Sequence, residues 1–247
     1  MRPFRAVTAL LGLALVGSLV TGTAPATAAE PDPLYGAPAV GDCYDLTKEQ
    51  AWGSSTREKP VDCSTRHTLL VGAVGTLPAS VRYDESAKFR RAVKRICDPF
   101  WLTYYDLDDH RSYRTVLQGI WLGPTKTQRK NGARWVSCSI SLALSTSLQP
   151  LPEGGPAKAT ARPDDSIARC ATKRYLTTVC TKRHAWRVTH SFSAKARGKG
   201  DVLEARLERA AVRVCSRRID GNRWLWGSRS TTKRNTYALV CLARTRK

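Results

Sequence analysis

Two stretches of the chain repeat apolar residues at every third or fourth position, which is the period of an α-helix packed on one face. The first runs from Asp84 to Tyr105 and the second from Asp201 to Ile219. Acidic Asp84 and Glu85 stand where they favour a helix start. The pattern predicts two amphipathic helices. Their apolar faces are Phe89, Val93, Ile96, Phe100 and Tyr104 in the first, and Leu203, Leu207, Ala211 and Val214 in the second.

Strand-like runs flank each predicted helix. The run "HTLLVGAVGTL" precedes the first helix, and "HAWRVTHSF" precedes the second. The second run alternates, which predicts that Trp186, Val188, His190 and Phe192 share one face of a strand. After each helix, a segment runs from Trp and Gly through a basic loop to an apolar strand that carries a cysteine. Each half therefore reads strand, strand, helix, strand, which predicts an α+β fold.

A segment rich in proline and glycine separates the two patterns. Residues 145–165 hold four Pro and two adjacent Gly without apolar periodicity, so we interpret them as a linker. This divides the chain into residues 38–144 and 166–247. We expect two tandem small domains, each a short antiparallel sheet with one packed helix and two disulfides. The second is interpreted as a degenerate copy of the first, because its first two cysteines are closer together.

The N-terminal residues have the layout of a secretory signal peptide. Arg2 and Arg5 precede an apolar run, and "APATAA" closes it with small residues. We expect residues 1–29 to be removed, and no later stretch is long and apolar enough to span a bilayer. The sequence therefore predicts a secreted protein, extracellular or associated with the cell wall, with no transmembrane segment after cleavage.

All eight cysteines follow the predicted cleavage site, and an even number in an exported chain indicates disulfides. The linker divides them four and four, and four cysteines allow three pairings in each half. We favour pairing in chain order, because the first and the last intervals shorten independently in the second half, and a 10-residue loop can lose length without moving the other bridge. The favoured bonds are Cys43–Cys63, Cys97–Cys138, Cys170–Cys180 and Cys215–Cys241.

A histidine follows a cysteine by four positions twice, in "CSTRH" and "CTKRH". Cys63 with His67 and Cys180 with His184 have a spacing that zinc sites use. Two disulfides per half would use every cysteine, so we expect no metal and no cofactor, and interpret both histidines as structural. No nucleophile motif accompanies them, which argues against an enzyme. The acidic "DLDDH", 106–110, is interpreted as a solvated turn.

The formal net charge is +21, and it is concentrated in the second half. Residues 158–247 contain 23 basic and 6 acidic residues, against 16 and 14 in residues 30–157. Three tryptophans, at 186, 224 and 226, lie among these cations, and this mixture favours polyanion binding. A solvated basic surface is the alternative. The candidate anion-binding residues are Arg174, Lys182, Arg183, Arg187, Arg206, Arg209, Arg213, Arg217, Arg223, Arg229, Lys233 and Arg234.

Four motifs together resemble the septum-formation domain family of exported bacterial proteins. They are "VGDCYDL", "VDCSTRH", the helix that ends near Cys97, and the closing strand "WVSC". The resemblance covers roughly residues 38–144 well and 166–244 weakly. It implies a disulfide-bonded envelope module associated with cell division, and it carries over no catalytic residue. The chain departs from the family pattern beside both histidines, where Arg66, Arg183, Leu70 and Arg187 replace the usual proline and acidic residue.

The sequence therefore predicts a non-enzymatic binding module of the bacterial envelope. We expect its basic second half to associate with an anionic cell-wall polymer or a membrane surface, and to hold nucleic acid only non-specifically. A protein-interaction component of septum or envelope assembly is the first alternative. An extracellular hydrolase that uses His67 or His184 is the second.

Overall fold

The computed structural model of the protein describes residues 30–84, 86–106, 108–221 and 223–245. From Pro31 onward these residues form one compact unit. The predicted signal peptide, residues 1–29, and Glu85 lie outside the described residues. None of the described helices is long and apolar enough to cross a membrane.

The first half is an antiparallel sheet with one long helix packed on it. The strands lie in the order β1-β2-β4-β3, with β5 paired to β4. Their bounds are β1 (Cys43–Tyr44), β2 (Leu69–Thr76), β3 (Leu117–Leu122), β4 (Trp135–Ala143) and β5 (Leu148–Gln149). The helices are α1 (Lys48–Trp52), α2 (Ala87–Trp101) and α3 (Lys126–Lys130), with a 3-10 helix at His110–Arg114.

The long helix α2 begins where a serine caps it. Ser86 Oγ accepts a hydrogen bond from Phe89 N at 3.1 Å, which satisfies one of the free N–H groups of the first turn. The predicted acidic start is therefore displaced, because Asp84 lies before the helix. Phe89 and Val93 are buried against the sheet, which confirms the predicted apolar face.

The second half has the same kind of architecture. Its strands lie in the order β7-β6-β8-β10-β9. Their bounds are β6 (Arg169–Ala171), β7 (Thr177–Val179), β8 (Trp186–Lys195), β9 (Trp224–Ser230) and β10 (Thr236–Arg244), and the helix is α4 (Gly200–Arg218). All four predicted apolar residues of α4 pack into one cluster with the sheet. The α+β class is confirmed.

One predicted strand face is wrong. Val188 packs against Val240 and Leu242, whereas Phe192 packs against α4 on the other face of the sheet. The cause is a β-bulge: the register shifts between Cys241, opposite His190, and Leu242, opposite Val188. An extra residue in one strand reverses the side-chain alternation beyond it, so a period of two fails across it.

Four disulfides connect the eight cysteines, all within the described residues. They pair in chain order, as favoured from the spacing: Cys43–Cys63, Cys97–Cys138, Cys170–Cys180 and Cys215–Cys241. The second and fourth bonds tie α2 to β4 and α4 to β10. Each long helix is thus covalently fixed to the strand beneath it.

The two sheets also agree in register. The first cysteine of each half pairs across the sheet with Leu70 on β2 or Arg187 on β8, each seven residues after Cys63 or Cys180. A register shift follows at the same distance along both strands, between Val71 and Ala73 in β2 and between Val188 and His190 in β8. The fourth cysteine of each half lies opposite Trp121 or Trp226.

The two halves share part of their core, so the two-domain prediction holds only in part. One cluster joins Leu117, Ile140 and Leu142 of the first half to Ile167 and Val179 of the second. The segment 145–165, interpreted as a linker, contributes β5 and two buried leucines to the packing. Leu151 N donates to the carbonyl oxygen of His67 at 2.8 Å.

Candidate functional site: a basic cleft in the second half

A cleft of about 710 Å³ lies between α4, the end of β8 and the β9–β10 turn. We call it the basic cleft. Its lining residues are Lys195, Ala196, Arg197, Arg206, Arg209, Arg213, Arg234 and Asn235. Four of them were candidates from the sequence, and they come from segments that are distant along the chain.

Helix α4 supplies one wall. Arg206, Arg209 and Arg213 follow one another at three and four residues, which places them on one side of the helix, beside the apolar face. At a rise of about 1.5 Å per residue, their Cα atoms are spaced about 4.5 and 6 Å along the axis. The Arg206 guanidinium donates to the carbonyl oxygen of Arg197 at 2.6 Å, which fixes one end of the row.

The sheet supplies the opposite wall. Lys195 is the last residue of β8 and pairs with Thr236, the first residue of β10. Ala196 N donates to Asn235 O at 2.9 Å, which holds the end of β8 against the β9–β10 turn. Asn235 has a φ of 56°, a left-handed conformation that asparagine tolerates in tight turns. This turn brings Arg234 to the cleft.

The lining of the basic cleft contains cations and no acidic residue. Glu204 and Glu208 project about 100° or more around α4 from the nearest arginine of the row. Among the described residues, no carboxylate lies within 4.0 Å of the guanidinium groups of Arg209, Arg213 or Arg234. Six cationic side chains therefore face one concave surface, and an anionic ligand would relieve their mutual repulsion.

An acidic side chain of the first half holds the β9–β10 turn in place. Asp108 accepts hydrogen bonds from Thr232 N at 3.0 Å and from Thr232 Oγ1 at 2.6 Å. The hydroxyl of Thr232 is the main cause that lowers the pKa of Asp108 below its usual value. Asp108, in the turn after α2 that was interpreted as solvated, thus also positions the turn that carries Lys233 and Arg234.

The 3-10 helix close to Asp108 is packed between the two halves. We call this helix, His110–Arg114, together with Asp108 the inter-half clasp. The Tyr113 ring has Arg169 and Arg229 as neighbours, with guanidinium carbons 4.7 and 5.0 Å from its centroid. Tyr113 Oη donates to Ser228 O at 3.2 Å, and His110 Nδ1 lies 2.9 Å from Ser191 Oγ. Cation–π contacts and hydrogen bonds thus join the first half to β8 and β9.

Burial against the clasp lowers the pKa values of Arg169 and Arg229. Desolvation lowers the pKa of Arg169 to about 10, and it lowers the pKa of Arg229 as well. The Arg169 guanidinium donates to carbonyl oxygens of Tyr113 and Thr115, at 3.0 and 2.7 Å. Arg229 Nε and Nη2 are buried without a hydrogen-bond partner among the described residues. Arg229, a candidate for anion binding, is thus placed against Tyr113 and outside the basic cleft.

The remaining candidates lie away from the cleft. Arg174, Lys182 and Arg183 are exposed in loops beyond the start of β8, about 26 Å or more along that strand from Lys195. Arg187 is paired with Asp165 at 2.6 Å. Arg223 lines a separate concavity together with acidic Asp220. Arg217 and Lys233 are exposed and do not line the basic cleft.

Two cleft residues, Lys195 and Arg197, were missed from the sequence. They lie between the second alternating run and α4. Their position at the end of the predicted strand was the only feature of the sequence that indicated a place close to the helix. The three tryptophans do not line the cleft. Trp224 and Trp226 pack against the α4 cluster, and Trp186 lies 6.3 Å from Tyr175 between ring centroids. These indoles contribute to packing near the cations and offer no stacking surface in the cleft.

Both repeated histidines are buried and make the same local contact. His67 Nδ1 lies 2.9 Å from Thr65 O, and His184 Nδ1 lies 2.7 Å from Lys182 O. A ring that carries the Nδ1 proton donates it to the carbonyl two residues earlier, which closes the turn after the cysteine. The cysteine beside each histidine is in a disulfide. No cluster of three metal-ligating side chains occurs in the described part of the chain.

A family model described as septum formation matches residues 40–236. The match is one region that runs through both halves and the segment between them. No curated protein matches the chain, and no solved structure matches it. A septum-formation domain suggests a role in cell division or in the cell envelope, and the four disulfides fit an extracellular or envelope location.

Proposed function

Because the chain belongs to the septum-formation family, we propose that it is an exported, non-enzymatic binding module of the bacterial envelope that holds an anionic polymer in the basic cleft. The observation that carries the proposal is the cleft itself, which is lined by six cationic side chains and no acidic one.

The chemistry of the cleft favours phosphate groups on a linear chain. Arginine binds phosphate oxygens through two parallel N–H donors, and five of the six cations are arginines. The cleft lies between a helix and a sheet end, and three of its cations repeat along the helix axis. A polymer with regularly spaced phosphates can contact several of them at once, whereas a single small anion meets only a few.

We also propose that the two halves are copies of one module, the second of them degenerate. The shared strand order, the matching register and the register shift at the same distance after the second cysteine support this. The loop closed by the first disulfide shortens from a separation of 20 to 10 residues in the second half. The duplication explains why the histidine motif recurs without a catalytic partner.

Replacing Arg209 and Arg213 by glutamine should weaken binding of a poly(glycerol phosphate) chain about tenfold at low salt, because two exposed ion contacts contribute about 1.4 kcal/mol together. The slope of log affinity against log salt should become shallower by about 1.4, since the variant makes two fewer phosphate contacts and its binding therefore releases fewer counterions. Titration of the purified protein at several salt concentrations measures both values.

The matched control is Lys182→Gln with Arg183→Gln. It removes the same charge from exposed sites at the other end of β8, so a general effect of net charge would appear in both variants. We expect the control to bind the polymer as the unchanged protein does. Equal loss in the two double variants would contradict a localised site and favour a diffuse basic surface.

A protein partner in septum assembly is the second candidate, and the family match favours it. Such a contact should survive high salt, where the polymer contact is lost. Crosslinking in envelope fractions at two salt concentrations separates them. Recovery of one specific protein at high salt, with no polymer binding at low salt, would favour the partner over the polymer.

A further inference from the structure

The first half carries the same row of cations on its own long helix. When α2 and α4 are aligned on their disulfide cysteines, Cys97 and Cys215, the arginines of the cleft wall coincide with basic residues. Arg206, Arg209 and Arg213 correspond in order to Lys88, Arg91 and Arg95. We call these three residues the α2 stripe. The net charge of the first half does not indicate this stripe, because acidic residues elsewhere in that half balance its cations.

The first residue of each row makes the same contact. Lys88 Nζ donates to Ser80 O at 2.9 Å, and the Arg206 guanidinium donates to Arg197 O at 2.6 Å. Ser80 and Arg197 both lie in the loop between the second strand of their half and the helix. The two rows therefore resemble each other in their anchoring as well as in their spacing.

The α2 stripe is open to solvent. Lys88, Arg91 and Arg95 are exposed. An ion pair on this helix joins Lys94 to Asp98 at 2.9 Å and does not involve the stripe. Within the described residues, Arg91 and Arg95 have no carboxylate within 4.0 Å.

The two rows differ in the opposite wall. By the strand registers, the positions that match Lys195, Arg197 and Arg234 are Pro78, Ser80 and Asn131. The loop beside α2 is held instead by Arg134, which donates to the carbonyl oxygens of Leu77 and Val81 at 3.3 and 2.8 Å. The three matching positions of the opposite wall carry no cation, and the Arg134 guanidinium is engaged by backbone carbonyl oxygens, so the contact of the stripe with an anion is weaker than that of the basic cleft.

We propose that the α2 stripe is a second, weaker contact for the same anionic polymer, so that one long chain engages both halves of a molecule. This rests on the proposed function. The inter-half clasp supports it, because Tyr113 and Asp108 fix the two halves to each other. Because both sites lie on one molecule, the second contact increases the affinity only for a ligand that is long enough to reach both sites.

The test compares a short and a long poly(glycerol phosphate) on the variant Arg91→Gln with Arg95→Gln. A tetramer occupies the basic cleft alone, so its affinity should not change. For a chain of several dozen repeats, the affinity should fall about fivefold and the salt slope by about 1.4. The control Lys126→Gln with Lys130→Gln removes the same charge from exposed positions on α3 and should change neither probe.

The outcomes separate the two proposals. If the unchanged protein binds the tetramer and the stripe variant keeps full affinity for the long chain, the second contact is overturned while the cleft stands. If the α3 control weakens long-chain binding as much as the stripe variant, the effect is one of net charge and the stripe is also overturned. If the tetramer does not bind at all, the proposed function itself fails.

Discussion

Replacing Tyr113 by alanine should lower the free energy of unfolding by about 3 kcal/mol, which is typical for the loss of a packed aromatic ring. The ring contacts Arg169 and Arg229, and both guanidinium groups are desolvated. Its removal leaves Arg229 buried without the ring that faces it. Urea denaturation followed by tryptophan fluorescence measures the change in stability.

The control for the ring is Tyr113→Phe, which keeps the aromatic face and loses only the hydrogen bond to Ser228 O. It should cost about 1 kcal/mol. Hydrogen exchange of the β9–β10 turn adds a local readout, since the clasp also holds Thr232 through Asp108. We expect faster exchange there in the alanine variant. If both variants lose the same stability, the stacking has no role and the clasp depends on the hydroxyl.

Removing the disulfide between α4 and β10, by Cys215→Ala with Cys241→Ala, should lower the free energy of unfolding by about 3.5 kcal/mol in the loop-entropy account. The bond closes a loop with a separation of 26 residues, and both cysteines are buried in the α4 cluster. The change should also weaken polymer binding, because α4 carries one wall of the basic cleft. Thermal unfolding and the polymer titration measure the two effects.

The matched control is Cys170→Ala with Cys180→Ala, which opens the disulfide of the shorter loop near the start of β8. Its loss should cost a comparable amount, about 2.7 kcal/mol in the loop-entropy account. It should leave polymer affinity unchanged, because no residue of that loop lines the cleft. Weaker binding in both variants would show that binding follows global stability and not the position of α4.

The helices were predictable because their information is local. A period of three or four residues marks the buried face of α2 through Phe89 and Val93, and the same holds for α4. The disulfide pairing was predictable from intervals, since the two halves have nearly the same spacing between their second and third cysteines, while the two loops that the disulfides close shorten independently, from 20 to 10 and from 41 to 26 residues. The strand faces were harder to predict from the sequence. A single bulged residue in β8 moves Val188 and Phe192 to opposite faces, and no residue type in the strand indicates where the bulge lies.

The candidate site was predicted in part. Arg206, Arg209 and Arg213 share a helix face by spacing alone, so the sequence identified one wall of the cleft. Arg187 and Arg229 were in the same candidate set because charge alone cannot show that a guanidinium is paired with Asp165 or stacked on Tyr113. Those partners are distant along the chain, and only the packing of the two halves brings them close.

The sequence by itself determined the α+β class and the amphipathic helices, and it favoured the cysteine pairing that the structure has. The helices follow from a period over neighbouring residues, and the pairing follows from the intervals between cysteines. The tertiary structure alone decided that Lys195, Arg197 and Arg234 join the α4 arginines in one cleft, and that Asp108 holds the β9–β10 turn. These depend on strand register and on contacts between halves, where residues far apart in the chain meet because the sheets and the shared core place them together.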